Sequence, residues 1–185
     1  MANLSQRGNQ PSKQKLKIIE RTQRGITFSE LLVVVAILIV LAALAIPTFL
    51  FFQEESDLSN SAEEIVSVLR LARNKTLASV EASQWGVYFS TSTVPHQYIL
   101  FKGTDFASHS TSSDEAYKIL GSVEISEITL EDLNGGDPPN PPLFEVVFER
   151  LTGETYQPGE ISLRLKNSLK TRTIQIKNFG LIELE

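Results

Sequence analysis

Few side chains in this sequence have the chemistry of an active site. It contains no cysteine, which excludes thiol nucleophiles, disulfides and thiolate metal sites. His96 and His109 are its two histidines, and both fall in Ser/Thr-rich stretches with no acid or second histidine at a ligand spacing. A zinc centre or a nucleophilic triad needs convergent partners, so solvated turn positions are expected for both. Glu131, Asp132, Asn134 and Asp137 surround Gly135-Gly136, a grouping of oxygen donors that could interest calcium, but the spacing is not that of an EF-hand and the prolines that follow read as a plain loop. Arg164, Lys166, Lys170, Arg172 and Lys177 form a basic cluster of the kind that meets phosphates. The residue most out of place is Glu30, one carboxylate at the head of an otherwise apolar run. An acid near hydrocarbon costs a few kcal/mol unless it is paired or reaches the interface, and is a functional candidate by default.

That run organises the chain. Leu31 to Ile46 is apolar throughout, and Phe49 to Phe52 follow almost at once. A bilayer core takes about 20 helical residues, and the stretch from Phe28 through Phe52 is long enough. Ahead of Gly25 the charge is +5, while the whole chain carries −5, which leaves −10 for everything after it. Positive residues hold their side of a span in the cytoplasm, so the N-terminus is expected inside and the acidic remainder outside. Residues 1–24 are polar and basic and read as an unstructured leader.

Beyond the span the pattern stays helical. Leu58, Ala62, Ile65, Leu69 and Ala72 recur at steps of four and three, with Thr76, Leu77 and Val80 continuing less regularly. Glu63, Glu64, Arg70, Arg73 and Asn74 fall mainly elsewhere on the wheel, so one stripe faces a core and surface ion pairs line the other. Pro47 is expected to kink or loosen the helix, and Ser56, Asp57 and Ser59 could cap a fresh start. A continuous helix from Ile26 to about Ala82 would be roughly 85 Å long, which suits packing against copies of itself. From Trp85 the period becomes two. Trp85–Ser90 and Gln97–Lys102 read as a hairpin, and Gly103–Ser113 as a loop. Ser122–Glu131 alternates with a slip at Ser126–Glu127 that predicts a bulge. Leu143–Arg150, Glu160–Leu165, Arg172–Lys177 and Leu181–Leu184 are further strands, and Asn134–Pro142 is an exposed connection. The predicted fold class is α+β: a long N-terminal transmembrane helix continuing into an amphipathic helix packed on a small antiparallel β-sheet head of six or seven strands. The expected segments are a leader over 1–25, the span over 26–52, the amphipathic helix over 53–84 and the head over 85–185.

Gly25, then Ile26-Thr27-Phe28-Ser29, then Glu30 and the apolar run ending in Ala45-Ile46-Pro47 resemble the class III leader of type IV pilins and pseudopilins. The first and third positions after the glycine are usually Phe and Leu in that family and are Ile26 and Phe28 here. The resemblance implies a membrane prepilin peptidase that cuts after Gly25 and N-methylates Ile26, with Glu30 used in assembly. It also implies other pilin or pseudopilin subunits and an inner-membrane assembly platform as partners. The charge reasoning agrees independently: cleavage turns the Ile26 amide into a cationic amine one helical turn from Glu30, within one chain or between neighbours. Further on, Leu71-Ala72-Arg73-Asn74-Lys75, Trp85-Gly86-Val87 and Arg172-Thr173-Ile174 to Gly180 are similar to minor pseudopilins of the GspH and FimT kind. The expected role is a structural subunit, not an enzyme, with no cofactor and no metal. It would be held in the inner membrane by one span and then assembled into a pilus or pseudopilus through its N-terminal helix.

Two alternatives stand beside this. Some FimT-like minor pilins bind DNA through a basic C-terminal region, which the basic cluster would supply, although strand alternation places the same charges on any half-solvated face. Alternatively Ala43-Leu44-Ala45 is a small-x-small site after a basic, apolar stretch, as in a secretory signal peptide with a mature start at Ile46.

Overall fold

The computed structural model describes residues 25–134 and 143–185. Residues 1–24, which the sequence reads as a leader, lie outside it, as do residues 135–142 and the side chains of Pro47, Thr48, Leu50 and Phe51. The chain divides into two compact units at Ala43/Leu44, and each is described by itself.

In the first unit, Thr27 starts helix α1 (Phe28–Leu77). Its carbonyl accepts the first helical bond from the Leu31 amide at 3.1 Å, and its hydroxyl accepts from the Glu30 amide at 3.2 Å, so one otherwise orphaned helix-end donor is satisfied. From Phe28 to Ile46 the mean hydropathy is 2.9 and none of the stretch is buried. A helix apolar on every side belongs in lipid or in a core, and here no protein covers it.

In the second unit α1 sorts its faces. Leu58, Ala62, Ile65, Leu69, Ala72 and Thr76 are buried, whereas Glu63, Glu64, Ser67 and Arg70 are exposed. The helix runs unbroken through Pro47, so Ser56, Asp57 and Ser59 begin no new helix. Asp57 instead accepts from the Ser122 hydroxyl at 3.0 Å. The helix also stops earlier than periodicity predicts. The hydroxyl of buried Thr76 accepts from the Trp85 amide at 2.9 Å. That bond draws the chain back through a short 3₁₀ turn at Val80–Ala82, entered with Ser79, Glu81 and Ala82 at positive φ. Val80 is consequently exposed rather than part of the core stripe.

Eight strands follow: β1 (Trp85–Ser90), β2 (Gln97–Lys102), β3 (Glu115–Lys118), β4 (Val123–Leu130), β5 (Glu145–Val147), β6 (Gly159–Leu165), β7 (Thr171–Ile176) and β8 (Ile182–Leu184). They form two antiparallel sheets of order β3-β2-β1-β5 and β4-β6-β7-β8, so the α+β class holds with one more strand than predicted. The β4 register slips between Ile125 and Glu127, the bulge read from the alternation. β5 keeps three residues of the predicted Leu143–Arg150. β3 carries no apolar alternation and is held from afar: Glu115 bonds Lys75 at 2.9 Å, and the Tyr117 ring stacks on Tyr98 at 5.3 Å. Inward residues of both sheets, among them Val87, Phe89, Leu100, Phe148, Ile161, Leu163 and Ile174, join Ile65 and Leu69 of α1 in one core. Leu69→Ala is expected to lower stability by about 3 kcal/mol, because a fully buried side chain leaves a cavity the two sheets cannot close. The denaturant midpoint of Trp85 fluorescence reads this directly, since Trp85 is the chain's one tryptophan and is buried.

Candidate functional site

The residues singled out at the N-terminus sit on an accessible, irregular segment. Gly25, Ile26 and Thr27 precede the helix and are exposed, and nothing lies within 4 Å of where a Gly25 side chain would begin. The Gly25–Ile26 bond is therefore in non-helical backbone two residues before α1, a form that an enzyme cleft can bind. Glu30 is also exposed, and with Thr27 it forms the Thr-x-x-Glu arrangement of a capping box, of which the Thr27 hydroxyl to Glu30 amide half is made. Sequence reasoning missed this second role, although the spacing alone carries the signal. Pro47 lies inside α1, and its side chain is outside the described residues.

The basic cluster is not an open positive face. Arg164 bonds Glu124 across β4 and β6 at 2.6 Å, and Lys170 bonds Glu55 of α1 at 2.8 Å. These cations hold the Glu124 and Glu55 carboxyls below their usual range through side-chain hydrogen bonds. Arg172 and Lys177 are partly covered on β7 and after it, and Lys166 is exposed. A groove for nucleic acid needs a denser run of unpaired charge.

Arg70 and Arg73 are not partners of Glu63 and Glu64. The Arg70 guanidinium donates to the Ile182 carbonyl at 2.9 Å, and Arg73 Nε donates to the Gly153 carbonyl at 3.0 Å. Both clamp β8 and the 149–155 turn to the helix, a task visible only once distant carbonyls are placed beside it.

The histidines are engaged as well. His96 Nδ1 accepts from the Ile125 amide at 3.0 Å. The His109 side chain is 6% exposed; its Nε2 lies 2.9 Å from an Asp114 oxygen, its Nδ1 contacts the Phe106 carbonyl, and its ring stacks on Phe106. Carbonyl and carboxylate are both acceptors, so satisfying the two bonds requires a ring protonated at both nitrogens. The hydrogen bond that the ring donates to Asp114 raises the His109 pKa above its ordinary 6.5. Nearby, burial raises the Glu145 carboxyl, which accepts from the Phe106 amide at 2.6 Å. A ring with both nitrogens occupied cannot take a proton from a serine, so this cluster shapes a loop and has no hydrolytic geometry. The sign of the pH effect follows. A raised histidine contributes stability that is complete below 6.5 and lost as pH rises through the folded value; the raised Glu145 carboxyl shifts stability in the same direction. Amide exchange over residues 103–114, corrected for intrinsic rate, is expected to quicken as pH rises above 6.5 through the raised folded value, and Asp114→Asn should flatten that dependence.

Of the oxygen donors around Gly135-Gly136, Glu131, Asp132 and Asn134 are described, and the Asn134 amide donates to Asp132 at 3.0 Å, while Asp137 is outside the described residues. Among the described residues no group of three His, Cys, Asp or Glu side chains could hold a metal. A cleft of about 430 Å³ beside β6 and β7 is lined by Thr129, Glu131, Glu160, Gln175 and Lys177, and among these is no nucleophile–base pair.

No family model matches the chain, and no curated protein matches it. Two solved structures are similar to it. One is the minor pseudopilin EpsH from the Type 2 Secretion System of Vibrio cholerae, with 14% identity, a TM-score of 0.48, and coverage of 70% of this chain and 96% of that one. The other is the type IV minor pilin FimU of Pseudomonas aeruginosa, with 14% identity, a TM-score of 0.45, and coverage of 69% and 92%.

Proposed function

We propose that the chain is a pilin-like filament subunit of the minor pseudopilin or minor pilin kind. In this reading it is held in the inner membrane by α1, cut after Gly25 by a prepilin peptidase, and methylated on Ile26. The basic leader stays in the cytoplasm and the β-rich head stands outside. The chain performs no chemistry of its own; it packs against other subunits through its N-terminal helix under an inner-membrane assembly platform. One observation carries the reading: an exposed, non-helical Gly25 stands five residues ahead of Glu30 at the start of an uncovered apolar helix. Continuation of that helix into the core of an antiparallel head supports it, because a cleaved signal would have no reason to share a helix with the domain it delivers.

Intact mass of the protein recovered from membranes tests it. The expected mass is that of a chain beginning at Ile26 with one added methyl group. A mature start at Ile46 would establish the signal-peptide alternative, and an unprocessed chain would count against both.

A further inference from the structure

Within the unit Leu44–Glu185, one end of the head is built beside the last apolar turns of α1. Lys170 on the β6–β7 turn bonds Glu55 at 2.8 Å, and Ser122 on the β3–β4 turn bonds Asp57 at 3.0 Å. The two turns are joined by the Lys166 amide donating to the Ser122 carbonyl at 3.0 Å. The β1–β2 turn reaches the same end, since the His96 carbonyl accepts from the Ile119 amide at 2.9 Å. Each turn lifts an aliphatic side chain into solvent: Leu169 is 92% exposed, Val94 86% and Leu120 45%. Lys118 and Lys166 flank these tips and have no ion-pair partner among the described residues, whereas Glu55 and Glu124 are held by Lys170 and Arg164. On the helix, Ile46, Phe49 and Phe52 are likewise apolar and exposed.

Glu55 follows Phe52 by three residues, about 4.5 Å along a helix axis. The headgroup layer of a bilayer is roughly 5–7 Å deep on each side. With the apolar residues through Phe52 in hydrocarbon, the level of Glu55 falls in that layer and that of Asp57, about 7.5 Å beyond Phe52, at its outer edge, and the turns bonded to them lie there too. Aliphatic tips at that depth leave water for the acyl boundary, and lysines beside them keep their ammonium groups among phosphates. We infer that the Val94, Leu120 and Leu169 turns form a membrane-resting surface that lays the head on a bilayer bearing anionic headgroups while the chain is anchored. The inference rests on reading Phe28–Phe52 as the span. It adds a role for three turns that the anchor alone does not require, and it makes release from lipid a step before assembly.

The absence of cysteine allows single-site labelling of the full chain. Leu169→Cys, Leu120→Cys, Leu151→Cys and Val40→Cys would each carry an environment-sensitive fluorophore, in vesicles of phosphatidylethanolamine and phosphatidylglycerol containing a lipid spin-labelled near its headgroup. Leu151 is the control, 84% exposed on the turn that carries Gly153, which packs against Leu77 at the far end of the helix. Labels at 169 and 120 are expected to lose most of their emission to the spin label and to shift to the blue, with 151 unchanged. Lys118→Glu with Lys166→Glu should restore much of the emission at 169. Equal quenching at 169 and 151, or none at 169 with the Val40→Cys label quenched by deeper spin labels, overturns the inference and leaves the anchor standing. An unquenched label at 40 removes the anchor reading, and this inference with it.

Discussion

Gly180→Ala is expected to lower the stability of the head by on the order of 3–4 kcal/mol, a large part of the 5–15 kcal/mol typical of a domain. Gly180 has φ +78, a left-handed conformation that penalises any Cβ by about 1–2 kcal/mol. Space is a second obstacle. The new carbon would lie 2.0 Å from the Gly153 carbonyl oxygen and 2.5 Å from Arg73 Nε, so both must move. Those two atoms are the acceptor and donor of the bond tying α1 to the 149–155 turn, and losing a charged hydrogen bond costs about 1.5–3 kcal/mol. The Trp85 fluorescence midpoint of the full chain in detergent reads the change. Gly121→Ala is the matched control: nothing lies within 4 Å of its new carbon, and a shift beyond about 0.5 kcal/mol is not expected. A Gly180→Ala midpoint equal to that of Gly121→Ala would mean that the Arg73 junction relaxes freely, contrary to this account.

If the chain is processed and assembled as proposed, Glu30→Gln is expected to leave cleavage after Gly25 intact and to remove most of the mature chain from filaments. The substitution separates two roles that Glu30→Ala would confound. Glutamine serves as well as glutamate at the third helical position of a capping box, so the start of α1 on Thr27 should survive. What disappears is the negative charge. On the proposed reading, Ile26 nitrogen is a neutral amide before cleavage and becomes an amine after it, charged even when singly methylated. An unpaired acid at the hydrocarbon edge is disfavoured, so the released terminus of the same or a neighbouring chain has reason to meet it. The measurement is the fraction of mature chain in sheared filaments relative to membranes. Normal incorporation of Glu30→Gln would end the charge-pair proposal while leaving the subunit reading untouched.

How legible the molecule was depended on whether a signal was local. The β1 and β2 bounds match Trp85–Ser90 and Gln97–Lys102 because two β-branched and aromatic runs on either side of a short turn favour one hairpin. The β4 bulge was legible for the same reason, as a skipped beat between Ile125 and Ile128. β3 was not, because Glu115-Ala116-Tyr117-Lys118 owes its place to Lys75 and Tyr98, both far away in sequence. His109 looked solvated because it lies between Ser108 and Ser110, and His96 because it closes a short Ser/Thr/Pro turn. Folding brings Asp114 and the Ile125 amide to them.

By itself the sequence determined the parts whose physics is one-dimensional. The apolar run from Phe28, Gly25 five residues before Glu30, the amphipathic stripe through Leu69 and the alternating strands all rest on composition and period along one segment. Only the tertiary structure decided which charges are spent. Arg70 and Arg73 went to the carbonyls of Ile182 and Gly153, Arg164 and Lys170 to Glu124 and Glu55, and Leu169 was left in solvent beside the end of the apolar helix. The reason is range. A backbone period is set within a few residues, whereas an ion pair or a clamp on a carbonyl is chosen by whatever folding carries within about 4 Å of it.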